Sequence, residues 1–442
     1  MAVKVGMVSL GCSKNQVDGE IMLSLIQRDG YELCGDAQQC DVVIINTCAF
    51  IEDAKREAIE NILEFCELKR QGVIKAVVVT GCLAERYQQE LVTEIPEADV
   101  ILGIGRNTDI VHAIDQALHG ERVVEFAPKE ELVMDAERVL TNAPYYAYIK
   151  LADGCDNRCT YCAIPNIRGR FRSRKMENIL EEVRRFAAQG VTEMNLVAQD
   201  TTRYGEDIYG KLMLPELIRE VCKVDGVHWV RILYCYPQRI TDELLEVMAS
   251  EPKVVKYMDV PVQHASGRVL KAMNRRDDYE YLRNLMQRIR EKIPGVVLRT
   301  TFITGFPGET EEDFAEMTRL VKEVKFERLG CFTYSPEDGT PAYSMPDQID
   351  EETKRRRADI VMSEQLAIAE EFARSWIGKE LEVVVEGLNE ETGIYYGRSY
   401  MDAPDIDTRI YFDSPYEHET GEYVMVTVTG SQGYDLMAEE AE

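Results

Sequence analysis

No run in this 442-residue chain reaches the roughly 18 apolar residues that a membrane-crossing helix needs. The first residues, MAVKVGMVSLGC, hold no apolar core of signal-peptide length, so the expected compartment is the cytoplasm. Cysteine is sparse: twelve in a chain this long exclude a disulfide scaffold and suit a reducing environment. Positive charge is also short, with 51 lysines and arginines against 79 acids and a formal net charge of −28. That balance disfavours a nonspecific nucleic-acid surface and favours a basic partner. The length allows about three domains of roughly 150 residues, each able to bury a core.

The few cysteines are unevenly placed. Cys155-Asp-Asn-Arg-Cys159-Thr-Tyr-Cys162 spaces three thiols so that they can close on one face of a metal cluster but cannot complete it. A structural zinc wants four protein ligands, and a ferredoxin-type 4Fe-4S cluster wants four thiolates. The spacing resembles the radical S-adenosylmethionine signature, in which the open iron takes the amino and carboxylate groups of S-adenosylmethionine. Its reductive cleavage gives a 5′-deoxyadenosyl radical, chemistry that belongs to the cofactor. A structural zinc or a set of reduced thiols is the plainer alternative.

A second pattern lies earlier in the chain. Three β-like runs are each followed at once by a cysteine: Val3–Leu10 before Cys12, Val42–Thr47 before Cys48, and Ala76–Gly81 before Cys82. Continuous Val/Ile runs separated by helical stretches such as Gly19–Gln27 and Ala54–Lys69 predict buried parallel strands with crossover helices. Ligands of open parallel sheets sit outside the carboxyl ends of the strands, so these cysteines are expected to converge on one crevice. Three thiols again suggest a cluster with one open iron. Cys34, Cys40, Cys66, Cys222, Cys235 and Cys331 lack mates at ligand spacing and read as small buried hydrophobes.

Further along, Val100–Gly105 reads as a fourth strand and Thr108–Leu118 as a helix, and residues 121–142 as a charged linker. From Tyr145 strand and helix alternate. Ala147–Leu151, Glu193–Ala198, Trp229–Tyr236, Tyr257–Val262, Val296–Ile303 and Arg328–Tyr334 make six β/α units, a barrel three-quarters closed. Strand-end positions hold the three cysteines, Gln199-Asp200, Gln263-His264 and the 304–309 turn. The alternating Arg168, Arg170, Arg172 and Arg174 could be an RNA patch, one solvated strand face, or arginines meeting an anionic cofactor and nearby carboxylates. Gly305-x-x-Gly308 lacks the Lys-Ser/Thr pair of a phosphate loop, and His264 reads as a hydrogen-bonded supporting residue.

After Trp376 come short alternating runs separated by Gly, Asn and Pro, most simply a five-stranded β-barrel. Residues 376–442 carry 16 acids and 3 bases. Such a module would repel RNA, since phosphate neutralisation supplies most nucleic-acid affinity. Asp402, Asp405 and Asp407 are expected among its exposed acids.

Two three-cysteine sites in this order, then a terminal β-barrel, resemble the methylthiotransferases over essentially the whole chain. The resemblance implies an N-terminal open parallel α/β sheet domain (1–120), a partial (β/α)6 barrel of radical SAM type (141–375) and a small all-β TRAM barrel (376–442). Ser9-Leu10-Gly11-Cys12-Ser13-Lys14-Asn15, with Asp18 and Glu20, is similar to the branch that modifies an aspartate of ribosomal protein twelve of the small subunit. Gln199-Asp200-Thr201-Thr202 with Tyr204-Gly205, Gly397-Arg398 and the 402–407 segment also match that branch; Asp407-Thr408 departs from an expected Asp-Gly. The resemblance implies two 4Fe-4S clusters, on Cys12, Cys48 and Cys82 and on Cys155, Cys159 and Cys162. It further implies S-adenosylmethionine near Tyr161, with Gln199, Ile303 and Gly305 as further contacts, and an electron donor such as flavodoxin or ferredoxin. The implied partner is a basic ribosomal protein, free or on the ribosome, with no membrane and no stable nucleic-acid binding. A tRNA adenosine methylthiotransferase and a non-catalytic iron-sulfur electron carrier are the alternatives.

Overall fold

The first apolar runs are continuous rather than alternating, the pattern of strands covered on both faces. In the computed structural model, which describes residues 2–441, they form a six-stranded parallel sheet. Its strands are β1 (Lys4–Ser9), β2 (Glu32–Leu33), β3 (Val42–Thr47), β4 (Ala76–Gly81), β5 (Val100–Leu102) and β6 (Val123–Glu125), ordered β2-β1-β3-β4-β5-β6. The crossover helices are α1 (Ser13–Arg28), α2 (Glu52–Arg70), α3 (Cys82–Glu94) and α4 (Ile110–Leu118). Met22, Ile26 and Ile114 of α1 and α4 cover one face, while Ile62, Phe65 and Leu83 of α2 and α3 cover the other. Strand order reverses between β1 and β3, and such a reversal opens a crevice at the carboxyl ends of those strands.

The 121–142 segment is not the free linker expected from its charge. It supplies edge strand β6, and Arg138 is buried between Glu20 and Glu182. Those carboxylates, on α1 and on a helix of the second sheet, are what charge counting along the chain cannot supply.

The second sheet contains β7 (Tyr146–Lys150), beyond which a short antiparallel ribbon pairs β8 (Ala152–Asp153) with β9 (Arg172–Ser173). It continues through β10 (Glu193–Val197), β11 (Trp229–Ile232), β12 (Val254–Asp259), β13 (Val297–Thr304) and β14 (Arg328–Thr333), all parallel, with β7 and β14 at its edges. Six such strands leave the barrel open. Met194, Leu196, Ile232 and Leu298 face the outer helices, while Tyr146, Tyr148, Trp229 and Tyr257 line the inner face.

A closed five-stranded barrel follows, β15 (Glu380–Asn389), β16 (Ile394–Ser399), β17 (Ile410–Asp413), β18 (Tyr423–Gln432) and β19 (Asp435–Glu440), ordered β15-β16-β17-β19-β18. It seals the amino-terminal end of the inner face, away from the cysteine loop. Asp402, Asp405 and Asp407 do this work rather than forming a free acidic surface. Asp402 accepts from Arg328 Nη2 at 2.7 Å, Asp405 from Tyr146 Oη at 2.7 Å, and Asp407 from Tyr257 Oη at 2.6 Å. Asp402 is 1% exposed and Asp407 half-buried, which corrects the expectation for those two through the arginine and tyrosine beneath them, whereas Asp405 is exposed as expected although its carboxylate holds Tyr146.

Candidate active site

The register of the first sheet sets its three cysteines level. Ser9 pairs with Asn46 and Asn46 with Thr80, so β1, β3 and β4 end together and their next turns carry Cys12, Cys48 and Cys82. Cys12 caps α1 and Cys82 opens α3, and a helix amino terminus favours a thiolate. Gly11 (φ 103°) lets the first two turns touch: a Cβ there would stand 3.1 Å from Cys48 Sγ. Burial pushes the Cys48 thiol up to about 12, helped by Cys82 beside it. Around Cys12 desolvation also raises the pKa, but the Lys14 and Arg168 cations together with the backbone N–H groups of Asn15 and Lys14 lower it by more, leaving it below the usual thiol value.

The second triad sits on a loop beyond β7 and β8, pinned from three strand ends. Cys155 N–H donates to Gly169 O at 3.1 Å, and Asn157 Nδ2 donates to Asp200 Oδ2 at 2.9 Å. Arg239 bridges Asn157 and Asp200 at 3.0 and 2.8 Å, while Asn274 Nδ2 reaches Arg158 O at 3.0 Å. The three thiols open on a cavity of about 480 Å³ shared with Arg158, Arg170 and Lys129. All three are free and half-buried, and burial holds the Cys155 thiol near 12. A larger trough, about 730 Å³, runs along the outside of the Glu351–Arg374 helix and is lined by no cysteine. Among the described residues no three His, Cys, Asp or Glu side chains are drawn in around a single ion. A four-iron cluster takes one thiolate per iron and spreads its ligands wider than that.

Between the triads lies a buried ion cluster. Arg168 ends the short helix α5 (Ile164–Arg168) and reaches back to the first sheet, donating to Cys82 Sγ at 3.4 Å, Asn15 Oδ1 at 3.0 Å, Asp153 Oδ2 at 3.1 Å and Asp18. Lys150 Nζ donates to Asp18 Oδ1 at 2.6 Å and pairs with Asp153. Two cations face two carboxylates, the pairing that makes such burial tolerable. Arg174 likewise pairs with Glu182 at 2.6 Å, so carboxylate pairing accounts for Arg168 and Arg174, and Arg170 alone of the alternating four is exposed. Lys14 stands apart: it is 6% exposed, its Nζ lies 3.4 Å from the centre of the Tyr234 ring, and no ion pair joins it to any described residue.

Of the expected cofactor contacts, Tyr161 packs against the barrel core near Cys159 and Arg275. Gln199 keeps a buried Oε1 with no hydrogen-bond partner, an orphaned acceptor that suits an incoming amino group. Ile303 also packs on the core. Gly305 is spent on packing: a Cβ there would come within 2.2 Å of Lys354 Cγ, and its N–H donates to Glu309 Oε2 at 2.8 Å. None of these four lines the cavity beside the thiols. The free three-thiol donor set opening on this cavity fits a cluster with one iron left open to a small molecule. His264, buried 3.3 Å from Glu309, is the supporting residue expected. Lys150 and Asp153 escaped sequence reasoning; their signal is a cation and an acid interrupting an apolar strand.

Three family models match in succession: Uncharacterized protein family UPF0004 over residues 4–103, the Radical SAM superfamily over 149–321 and the TRAM domain over 377–440. The chain is 48% identical over 436 residues to a "Ribosomal protein uS12 methylthiotransferase RimO" of Lachnoclostridium phytofermentans, covering 98% of this chain and 99% of that one. Relatives bearing the same description occur in Caldanaerobacter subterraneus subsp. tengcongensis at 49% identity (98% and 99% covered) and Clostridioides difficile at 46% (99% and 98%). Among solved structures, the radical S-adenosylmethionine methyltransferase TsrM from Kitasatospora setae aligns over 77% of each chain with a TM-score of 0.58 and 16% identity, a likeness of fold.

Proposed function

The chain belongs to the RimO family of methylthiotransferases, and we propose that it places a methylthio group on the β-carbon of one aspartate in ribosomal protein uS12 of the small subunit. The observation that carries this reading is Arg168, which touches Cys82 of one triad and Asp153, two residues before Cys155, of the other. One side chain thus ties two three-thiol sites together. In this reading Cys12, Cys48 and Cys82 hold one 4Fe-4S cluster and Cys155, Cys159 and Cys162 the other. When bound, the clusters and S-adenosylmethionine supply hydrogen abstraction from an unactivated carbon and the sulfur that replaces the hydrogen.

The protein's own residues bind and orient. Asp200, Arg239 and Asn274 fix the cysteine loop, so the open side of that site keeps one direction. Gln199 keeps a buried, unpaired oxygen beyond the end of β10, and Tyr161 packs beside Cys159. Residues 1–120, 141–375 and 376–442 are the corresponding units, and a low-potential carrier of the flavodoxin or ferredoxin kind supplies electrons. Exposed acids of the terminal barrel favour a basic protein and disfavour tRNA, whose adenosine is the competing substrate.

The test is mass spectrometry of uS12 and of total tRNA from a strain lacking this gene, complemented with the wild type or with C155A/C159A/C162A. A methylthio group on the uS12 aspartate that returns only with the wild type is expected. A methylthio group missing from tRNA instead would overturn the assignment.

A further inference from the structure

Lys14 belongs to the Ser13-Lys14-Asn15 motif, and beyond lowering the Cys12 thiol the chemistry described so far gives it no task. Its backbone lies in the first turn of α1, two residues past Cys12, yet its ammonium rests on Tyr234, just beyond β11 of the second sheet. Tyr234 is held there with φ 63° by its N–H to Asp259 Oδ2 at 2.9 Å. The lysine therefore reaches from the first cysteine crevice into the mouth of the barrel, where β/α barrels hold their substrates. Beside it stand the Cys12 thiol and the Tyr234 hydroxyl, and no carboxylate is free to pair with it. Asp18 and Asp153 are taken by Lys150 and Arg168, two against two, so Lys14 is a surplus cation. An ammonium 94% buried against one aromatic face, with no carboxylate beside it, is a cation that an incoming carboxylate can pair.

We infer that Lys14 is the specificity-determining cation that receives the carboxylate of the substrate's aspartate, holding its β-carbon between the two cysteine triads. This rests on the proposed function, because it needs an acidic substrate side chain. It also gives a physical reason for choosing aspartate over asparagine. A site built to pair an ammonium with a carboxylate loses a charge-assisted contact when offered a neutral amide.

The experiment uses the full-length protein with both clusters reconstituted, as wild type, Lys14→Gln and Lys14→Arg. Each is titrated with a synthetic peptide of the uS12 loop carrying the aspartate, and with the same peptide carrying asparagine. Wild type is expected to prefer the aspartate peptide by about 10- to 100-fold, K14Q to bind both alike, and K14R to recover most of the preference. Iron content and affinity for S-adenosylmethionine without peptide should match among the three. K14Q that keeps the wild-type preference overturns the role of Lys14 and leaves the proposed function standing. Loss of iron in K14Q makes the lysine a counter-ion to the cluster, and loss of S-adenosylmethionine affinity assigns it to that molecule's carboxylate; either result also overturns the inference. Wild type that binds neither peptide removes the proposed function and the inference with it.

Discussion

Arg168 and Cys82 meet across the boundary between the two cysteine-bearing sheets, guanidinium to sulfur at 3.4 Å, although 86 residues separate them in the chain. The same guanidinium pairs with Asp18 and Asp153, and both of its partners and itself are essentially without solvent. Replacing it with methionine leaves two buried carboxylates sharing Lys150. Breaking a buried pair of this kind costs about 3–5 kcal/mol. R168M should therefore loosen the junction, seen as faster amide exchange in residues 13–28 and 164–168 and a lower melting temperature. R168K keeps the charge but cannot fork to four acceptors, so it should restore melting while shifting the reduction potential of the cluster proposed on the first sheet downward by tens of millivolts, through the lost hydrogen bond to sulfur. Identical exchange rates in R168M and wild type would disprove the bridging role.

The two triads should load independently, since each is carried by turns of its own sheet. Replacing Cys155, Cys159 and Cys162 with alanine should remove about half the iron and all cleavage of S-adenosylmethionine. Replacing Cys12, Cys48 and Cys82 should leave cleavage and abolish sulfur transfer. An anaerobically reconstituted wild type with only about four irons per chain would contradict two clusters.

Much of this was legible beforehand because it is local. Continuous Val/Ile runs announced β3 and β4 to the residue, and each cysteine just past a strand end announced the crevice. What stayed hidden is what long-range pairing decides. The charged 121–142 segment reads as linker until Glu20 and Glu182 close on Arg138. Asp402 reads as a surface acid until Arg328, 74 residues earlier, is beneath it. The two-residue strand β2 shows no alternation of its own and is set by its pairing with β1. Gly305 looked like a binding-loop glycine, and its constraint comes from Lys354 on a later helix.

The seal between the open and closed barrels should be acid-labile. Glu193 is wholly buried, donated to by Arg231 Nε at 3.0 Å and paired with Arg398 of the terminal barrel. Burial raises its pKa, but Arg398 and Arg231 lower it by more, so the folded value lies below the ordinary carboxylate range. A depressed folded value means the stabilisation is fully present above the unfolded pKa, about 4.3, and is lost as pH falls below that through the folded value. Glu193→Gln should unseat the terminal barrel at neutral pH at a cost of about 3–5 kcal/mol, and should flatten the acid limb of the stability curve. Urea midpoints from pH 7 downward check this; parallel acid limbs for E193Q and wild type would refute it.

Because Asp402, Asp405 and Asp407 are occupied with the seal, attraction for a basic partner must come from other acids of the terminal barrel. Glu390 and Glu391 on the β15–β16 hairpin, and Glu417 and Glu419 on the loop before β18, are exposed, and none forms an ion pair among the described residues. Long-range attraction raises association rates at low salt and fades once the Debye length falls to about 10 Å near 0.1 M. Changing these four glutamates to lysine should slow association with uS12 about tenfold at roughly 20 mM salt and scarcely at all at roughly 0.3 M. Stability and iron content should hold, since surface changes away from packed contacts usually stay within about 0.5 kcal/mol. Stopped-flow mixing at the two salt concentrations gives the rates, and tRNA titrated in parallel should bind the lysine variant more tightly than the wild type. Equal rates for variant and wild type at low salt would show that these acids serve solubility alone and that the partner docks elsewhere.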